Sequence, residues 1–265
     1  MLLVFDIGNT NIKTAIFDGD KLLHEWRISS DARRTGDEYF SIVSSLMNNV
    51  PINQNDIETV AVSSVVPPLI GPFVIVSQQL VNKKPLIIEP SIYSKLPVKI
   101  PEHAVYEIGA DLLCDAVEAW LKFHEPVIVA DFGTALSFTA IDNDANIAGV
   151  AIAPGIGTAL KSLFNNTAQL PSVPLEIPPS SLGTNTIESI QSGILFGYKG
   201  LVEGMINKMK DDLSAKYHID RNCIHTIATG GLNSMLSPIC NIFDCQDKQL
   251  TINGLRHIVE IVVSK

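Results

Sequence analysis

Two short stretches place the same set of residues at the ends of apolar strands. In "LLVFDIGNTNIK" the apolar run meets Asp6 and is followed by Gly8, Asn9 and Thr10. In "VIVADFGTA" it meets Asp131 and is followed by Gly133, Thr134 and Ala135. A carboxylate, a glycine and a small polar side chain in that order suit an oxyanion site. Glycine lets the backbone come close to a phosphate, and amides exposed at such turns bind its oxygens. A carboxylate beside phosphates repels them unless a cation lies between, so the aspartates imply a bound metal. Either aspartate alone reads as an Asx-turn; the matched pair favours the ligand reading. A third glycine turn, Gly230-Gly231, follows the strand-like "TIAT".

Two further residues could do chemistry. Asp111 follows Gly109-Ala110 at the start of "ADLLCDAVEAWLK". Its plain role is a carboxylate favoured by the helix dipole, yet Gly109 would let a substrate approach it. Thr186 opens a long helical pattern and reads as a helix cap or as a hydroxyl that binds a substrate.

The elements that must position these residues follow from periodicity. Residues 1–6 read as a buried strand, Asn11 to Phe17 as a second, and "LLHEWRISS" as a third after the "DGD" turn. This is a β-meander, which argues against a dinucleotide site whose glycine turn opens a helix. Thr35 to Asn48 is helical, "TVAVSSV" and "PLIIEP" are strands, and a Pro-Pro pair starts a helix near Leu69. The helix bearing Asp111 is the clearest, with Asp115 and Glu118 on a polar stripe expected to face solvent. The "DFGTA" motif repeats the strand, turn, strand pattern about half the chain later. The expectation is a duplication: two α/β domains, 1–123 and 124–265, each opening with a meander. Gly157 to Phe164 fits a helix, and the Pro/Ser-rich stretch from Gln169 reads as a long loop. Thr186 to Lys210 reads as one helix with Gly193, Gly197, Gly200 and Gly204 in a stripe suited to close packing on another backbone, such as a partner subunit.

Composition narrows the function. The 265 residues are 46% hydrophobic and 18% charged, a globular balance, and the net charge of −9 disfavours a broad nucleic-acid or anionic-membrane surface. Four cysteines without a CxxC spacing point to reduced thiols rather than zinc or disulfides. The first apolar run lacks a basic lead and meets Asp6 at once, so no signal peptide is expected. No apolar run is long enough to span a bilayer. A cytoplasmic location follows. A Walker A loop and a G-x-S-x-G motif are both absent from the sequence.

In order along the chain, "DIGNTNIK", "GAD", "DFGTA", "GVAIAPGIGTALKSL", "GTNTIESIQSGILFGY" and "TGG" make it similar to the type III pantothenate kinases, of the acetate kinase/sugar kinase/Hsp70/actin superfamily. The resemblance implies two duplicated ribonuclease H-like, actin-like ATPase domains with an ATP cleft between them. It implies ATP-dependent phosphorylation of pantothenate to 4'-phosphopantothenate, the first step of coenzyme A biosynthesis, by a homodimer. Carried onto this chain, Asp6, Gly8, Asn9, Thr10, Asn11 and Lys13 would bind ATP, with Asp6 placing Mg²⁺ through water. Thr134, Gly230 and Gly231 would also contact the nucleotide. Asp111 would be the general base, with Gly109, Ala110, Leu112 and Thr186 lining the pantothenate site. Asp131 would bind a monovalent cation, K⁺ or NH₄⁺.

The substrate side departs from the family pattern. Leu112 follows Asp111 where the family often has arginine, and Glu102 and Val105 stand where it often has Tyr and Pro. Two alternatives therefore stay beside pantothenate: another small alcohol on the same fold, or an ATP-binding regulator without catalysis.

Overall fold

The run Leu2–Ile7 (β1) is apolar almost throughout because it lies inside a sheet, with a strand on each side. The computed structural model describes residues 1–165, 171–231 and 233–263. Gln169 and Leu170, at the start of the Pro/Ser-rich stretch, and Leu232, after Gly231, lie outside the described residues. β2 (Asn11–Asp18) pairs antiparallel with β1, and β3 (Lys21–Ser29) antiparallel with β2, which is the expected meander. The chain then forms α1 (Gly36–Met47), β4 (Thr59–Ser64), α2 (Pro67–Val81), β5 (Leu86–Ile87) and the short α3 (Pro90–Tyr93). α1 starts at a reciprocal cap: Glu38 N donates to Thr35 Oγ1, and Thr35 N to Glu38 Oε2. β4 runs parallel to β1, giving the sheet order β3-β2-β1-β4-β5. One face carries a core built on Phe5, Tyr39 and Phe73, with Phe73 ring centroids 4.9 Å from each of the other two.

The second half repeats this plan. After α4 (Ala110–Phe123) come β6 (Val127–Phe132), β7 (Ala135–Ile141) and β8 (Ile147–Pro154), again antiparallel neighbours. Then follow α5 (Ile156–Asn165), α6 (Thr186–Tyr217), β9 (His225–Thr229), α7 (Asn233–Leu236), β10 (Cys245–Gln246) and α8 (Leu250–Val263). β9 lies parallel to β6 and β10 parallel to β9, so the order is β10-β9-β6-β7-β8. Read from the meander edge, both sheets have the same sequence of strands and the same directions. The duplication expected from the two D-x-G motifs is therefore present in the topology. α6 runs past the expected Lys210 to Tyr217, where His218 takes a left-handed conformation (φ 57°) and ends it.

The compact units are not contiguous in the chain. Met1–Glu118 joins the segment from Leu250 onward, and Ala119–Gln249 forms the other unit. The division read from sequence, 1–123 and 124–265, is by contrast contiguous. No described helix is long and apolar enough to cross a membrane.

Candidate active site

In the first unit, the strand register sets the site. Asp6 sits opposite Lys13 on β2 and opposite Ser63 on β4. Directly paired residues share a face of the sheet, so the three side chains project together. Lys13 Nζ lies 4.0 Å from Asp6 Oδ2, and Ser63 Oγ donates to Asp6 Oδ1 over 3.4 Å. Between β1 and β2, Gly8 N donates to the Asn11 carbonyl at 3.0 Å, closing a tight turn whose tip, Asn9 and Thr10, is exposed. A Cβ on Gly8 would come 3.1 Å from the Asn11 oxygen, so a larger residue requires the turn to give by a few tenths of an ångström.

Asp6 is 7% exposed, and its carboxyl pKa is raised to about 6. Desolvation is the largest cause; the Lys13 ammonium opposes it, and the Asp111 carboxylate adds to it. The dependence on Asp111 brings the two aspartates into one electrostatic neighbourhood. Asp111 is half-buried at the first turn of α4, where the Leu112 amide donates to its Oδ1 at 2.7 Å. Burial raises its pKa, while backbone amides and Lys13 oppose the rise. Gly109 and Ala110 precede it directly, and Leu112 is half-buried beside it.

The polar stripe of α4 is not solvated. Asp115 is 1% and Glu118 9% exposed, which corrects the sequence expectation. α8 packs on this side of α4, with Gly254 against the Cys114 backbone and His257 hydrogen-bonded to Glu118. Ser63 was not singled out from sequence either; only the parallel register of β1 and β4 reveals it.

In the second unit, Asp131 on β6 lies opposite Ser137 on β7 and Thr229 on β9. Gly133 N donates to the Ala135 carbonyl at 3.0 Å, a turn matching the one at Gly8. The Thr134 carbonyl accepts from Gly155 N at 3.0 Å and from Thr158 Oγ1 at 2.7 Å, so the start of α5 is seated on this turn. Gly230 has φ +90°, and a Cβ there would overlap Asp131 Oδ1. Glycine is thus required beside Asp131 for both conformation and space. Thr229 Oγ1 is buried without a hydrogen-bond partner on the same face as Asp131. Gly231 is exposed next to it.

Thr186 is the first residue of α6, but it is not the cap. Asn185 Oδ1 accepts from Glu188 N at 3.0 Å and fills that role, leaving Thr186 exposed. It lines a cavity of about 710 Å³ with Gly183, Asn185, Ser189 and Gly193. The described part of the Pro/Ser-rich stretch has no strand or helix and is tied to α6: Gln191 Nε2 donates to the Pro174 carbonyl at 2.8 Å and Ser192 Oγ to that of Ser181 at 2.6 Å. The glycine stripe faces outward, and a Cβ at Gly193, Gly197, Gly200 or Gly204 would meet no neighbouring atom within 4 Å.

Comparison with known proteins identifies the lineage. The profile of the type III pantothenate kinase family matches residues 2–208. The chain belongs to that family. Curated type III pantothenate kinases from an Exiguobacterium species and from Brevibacillus brevis are 38% and 39% identical over 260 residues, 98% of each chain. One from a Geobacillus species is 36% identical over 265 residues, 100% of this chain and 99% of its own. By family the protein is a phosphotransferase of coenzyme A biosynthesis, with pantothenate as the named substrate. Two solved structures share the fold. A Campylobacter jejuni protein assigned to the Baf family of transcriptional activators has a TM-score of 0.60 at 17% identity, covering 99% of this chain and 100% of its own. A Sinorhizobium meliloti protein assigned as a 2-dehydro-3-deoxygalactonokinase has a TM-score of 0.57 at 10% identity, covering 99% and 97%. With the two matching sheets, they fit a pair of duplicated ribonuclease H-like units.

Proposed function

We infer that the chain transfers the γ-phosphoryl group of ATP to the primary hydroxyl of pantothenate, with Asp111 taking the hydroxyl proton. The observation that supports this best is the grouping of Asp6, Lys13 and Asp111. A buried carboxylate, an ammonium and a candidate base share one polar neighbourhood. Phosphoryl transfer asks mainly for alignment and charge screening. Burial raises the basicity of Asp111, and the Leu112 amide fixes the carboxylate's orientation. Gly8, Asn9, Thr10, Asn11 and Lys13 are the proposed ATP phosphate ligands, and Thr134, Gly230 and Gly231 are proposed nucleotide contacts. Gly109, Ala110 and Leu112 line the pantothenate site.

The residues fit the two cations that the family implies. Asp6 is a buried carboxylate short of positive charge, which suits Mg²⁺ held through water. Asp131, beside the unpartnered Thr229 hydroxyl, offers hard oxygen donors for K⁺ or NH₄⁺. When bound, these ions screen the phosphate charge. The chain works as a cytoplasmic homodimer, without nucleic-acid or membrane partners. The outward glycines of α6 and the exposed Val150 and Ile152 of edge strand β8 support association with a second copy. Thr186, exposed at its cavity, contacts pantothenate from the neighbouring subunit. A second reading, a different small alcohol, is favoured by one observation: Leu112 stands where the family often has arginine.

ADP release measured with pantothenate, with and without K⁺ or NH₄⁺, tests this. Turnover that needs both supports the inference. Turnover only with another alcohol would shift the substrate. ATP binding without turnover on any alcohol would make the chain a regulator.

A further inference from the structure

α8 reaches the face of α4 that carries Asp111, and it does so at two points. Gly254 is buried against Cys114, and a Cβ at 254 would overlap the Cys114 carbonyl oxygen. The two helices therefore touch backbone to backbone, with no rotamer between them to absorb a displacement. One turn further along both helices, His257 Nδ1 lies 2.5 Å from Glu118 Oε2. The other ring nitrogen, Nε2, lies 2.7 Å from Arg256 Nη2. A guanidinium can only donate, so Nε2 accepts and the hydrogen sits on Nδ1, from which it is donated to Glu118. Arg256 is itself anchored: it is 6% exposed, and its Nη1 donates to Asp20 Oδ1 at 2.7 Å in the β2–β3 turn and to Glu260 Oε1 at 2.6 Å.

Cys114 stands one helical turn after Asp111, and Glu118 one turn beyond that. Asp111 is the second residue of α4, on a helix whose other end enters the next unit. A rigid helix transmits a shift along its axis, so whatever fixes Cys114 and Glu118 also fixes the Asp111 carboxylate. We propose that α8 sets the position of Asp111 through Gly254 and His257, which are positioning residues for phosphoryl transfer. This rests on the reading of Asp111 as the base.

The test uses the full chain with four substitutions: Gly254→Ala, His257→Leu, His257→Asn and Asp111→Asn. The thermal midpoint of each is determined first, and ATP affinity, kcat and KM for pantothenate are then measured well below the lowest one. Displacing the base lowers kcat while leaving ATP affinity in place. The expected loss is about tenfold or more for Gly254→Ala and about threefold or more for His257→Leu. His257→Asn keeps an N–H near the Nδ1 position and restores much of the rate. If Gly254→Ala does not fold, the His257 pair decides. A folded His257→Leu or Gly254→Ala with wild-type kcat, beside an inactive Asp111→Asn, overturns the proposal. So does a loss of ATP affinity in step with kcat, which marks general loosening. Wild-type turnover by Asp111→Asn would instead remove the base assignment on which the proposal stands.

Discussion

The Asp111 carboxylate folds back over Gly109: a Cβ built on Gly109 would lie 2.5 Å from Asp111 Oδ1 and 3.4 Å from Val65 Cγ1. The glycine thus leaves the space that the carboxylate fills. Gly109→Ala must push Asp111 out of that place. The expected result is a loss in kcat on the order of 10²-fold, the scale of a 1 Å misplacement, with ATP binding retained. Single-turnover kinetics beside a nucleotide titration checks it; an unchanged kcat would show that the carboxylate acts from another orientation.

The burial of Asp6 costs stability once its carboxyl is charged. Its folded pKa, about 6, stands above the ordinary 3.8, so the folded state holds this proton more tightly than the unfolded one. Its contribution to stability is fully present below about 3.8 and is lost as pH rises through about 6. Above that range the buried charge costs on the order of 2–3 kcal/mol. Asp6→Asn removes the cost: urea unfolding should find it more stable than wild type at pH 7.5, with the gain shrinking toward pH 4. Turnover should disappear, because the amide cannot hold a cation as the carboxylate does. A variant no more stable than wild type at pH 7.5 would mean that Asp6 is better compensated than its burial indicates.

Gly230→Ala should act on the monovalent cation. The new methyl collides with Asp131 Oδ1, and φ +90° is strained for alanine. The K⁺ concentration for half-maximal activity should rise about tenfold or more, while a pantothenate titration at saturating K⁺ changes less. An unaltered K⁺ response would separate Asp131 from the cation site.

His218 is exposed at the C-terminal cap of α6 with φ 57°, a conformation that glycine adopts without a Cβ penalty. His218→Gly should stabilise the fold by about 0.5–1 kcal/mol with kcat unchanged. The urea midpoint is the readout, and a lower midpoint would mean that the imidazole contributes more than the strain costs.

What the sequence reveals and what it hides divide by range of interaction. The meanders are legible because each strand and turn is local: Asp6 to Lys13 and Asp131 to Ser137 are joined by short turns. The glycine at each turn is equally visible. Ser63 is hidden because its place beside Asp6 depends on a parallel pairing across α1. Asp115 and Glu118 read as a solvated stripe because nothing in α4 announces that α8 will lie on it. The cap at Asn185 rather than Thr186 is a one-residue offset that periodicity cannot fix. The stripe of α6 glycines is plain in the sequence, yet among the described residues no atom lies within 4 Å of a Cβ built on it.

The return of α8 to the first unit also bears on the order in which the protein matures. Residues 119–249 form a continuous stretch, complete before residues 250–263 are made. The first unit begins earlier but lacks the helix that braces α4 until residues 250–263 have been made. Asp111 is synthesised long before the backbone that steadies it. During translation, then, α4 and the strand β1, on which α8 also packs, stay bare on that side until α8 emerges.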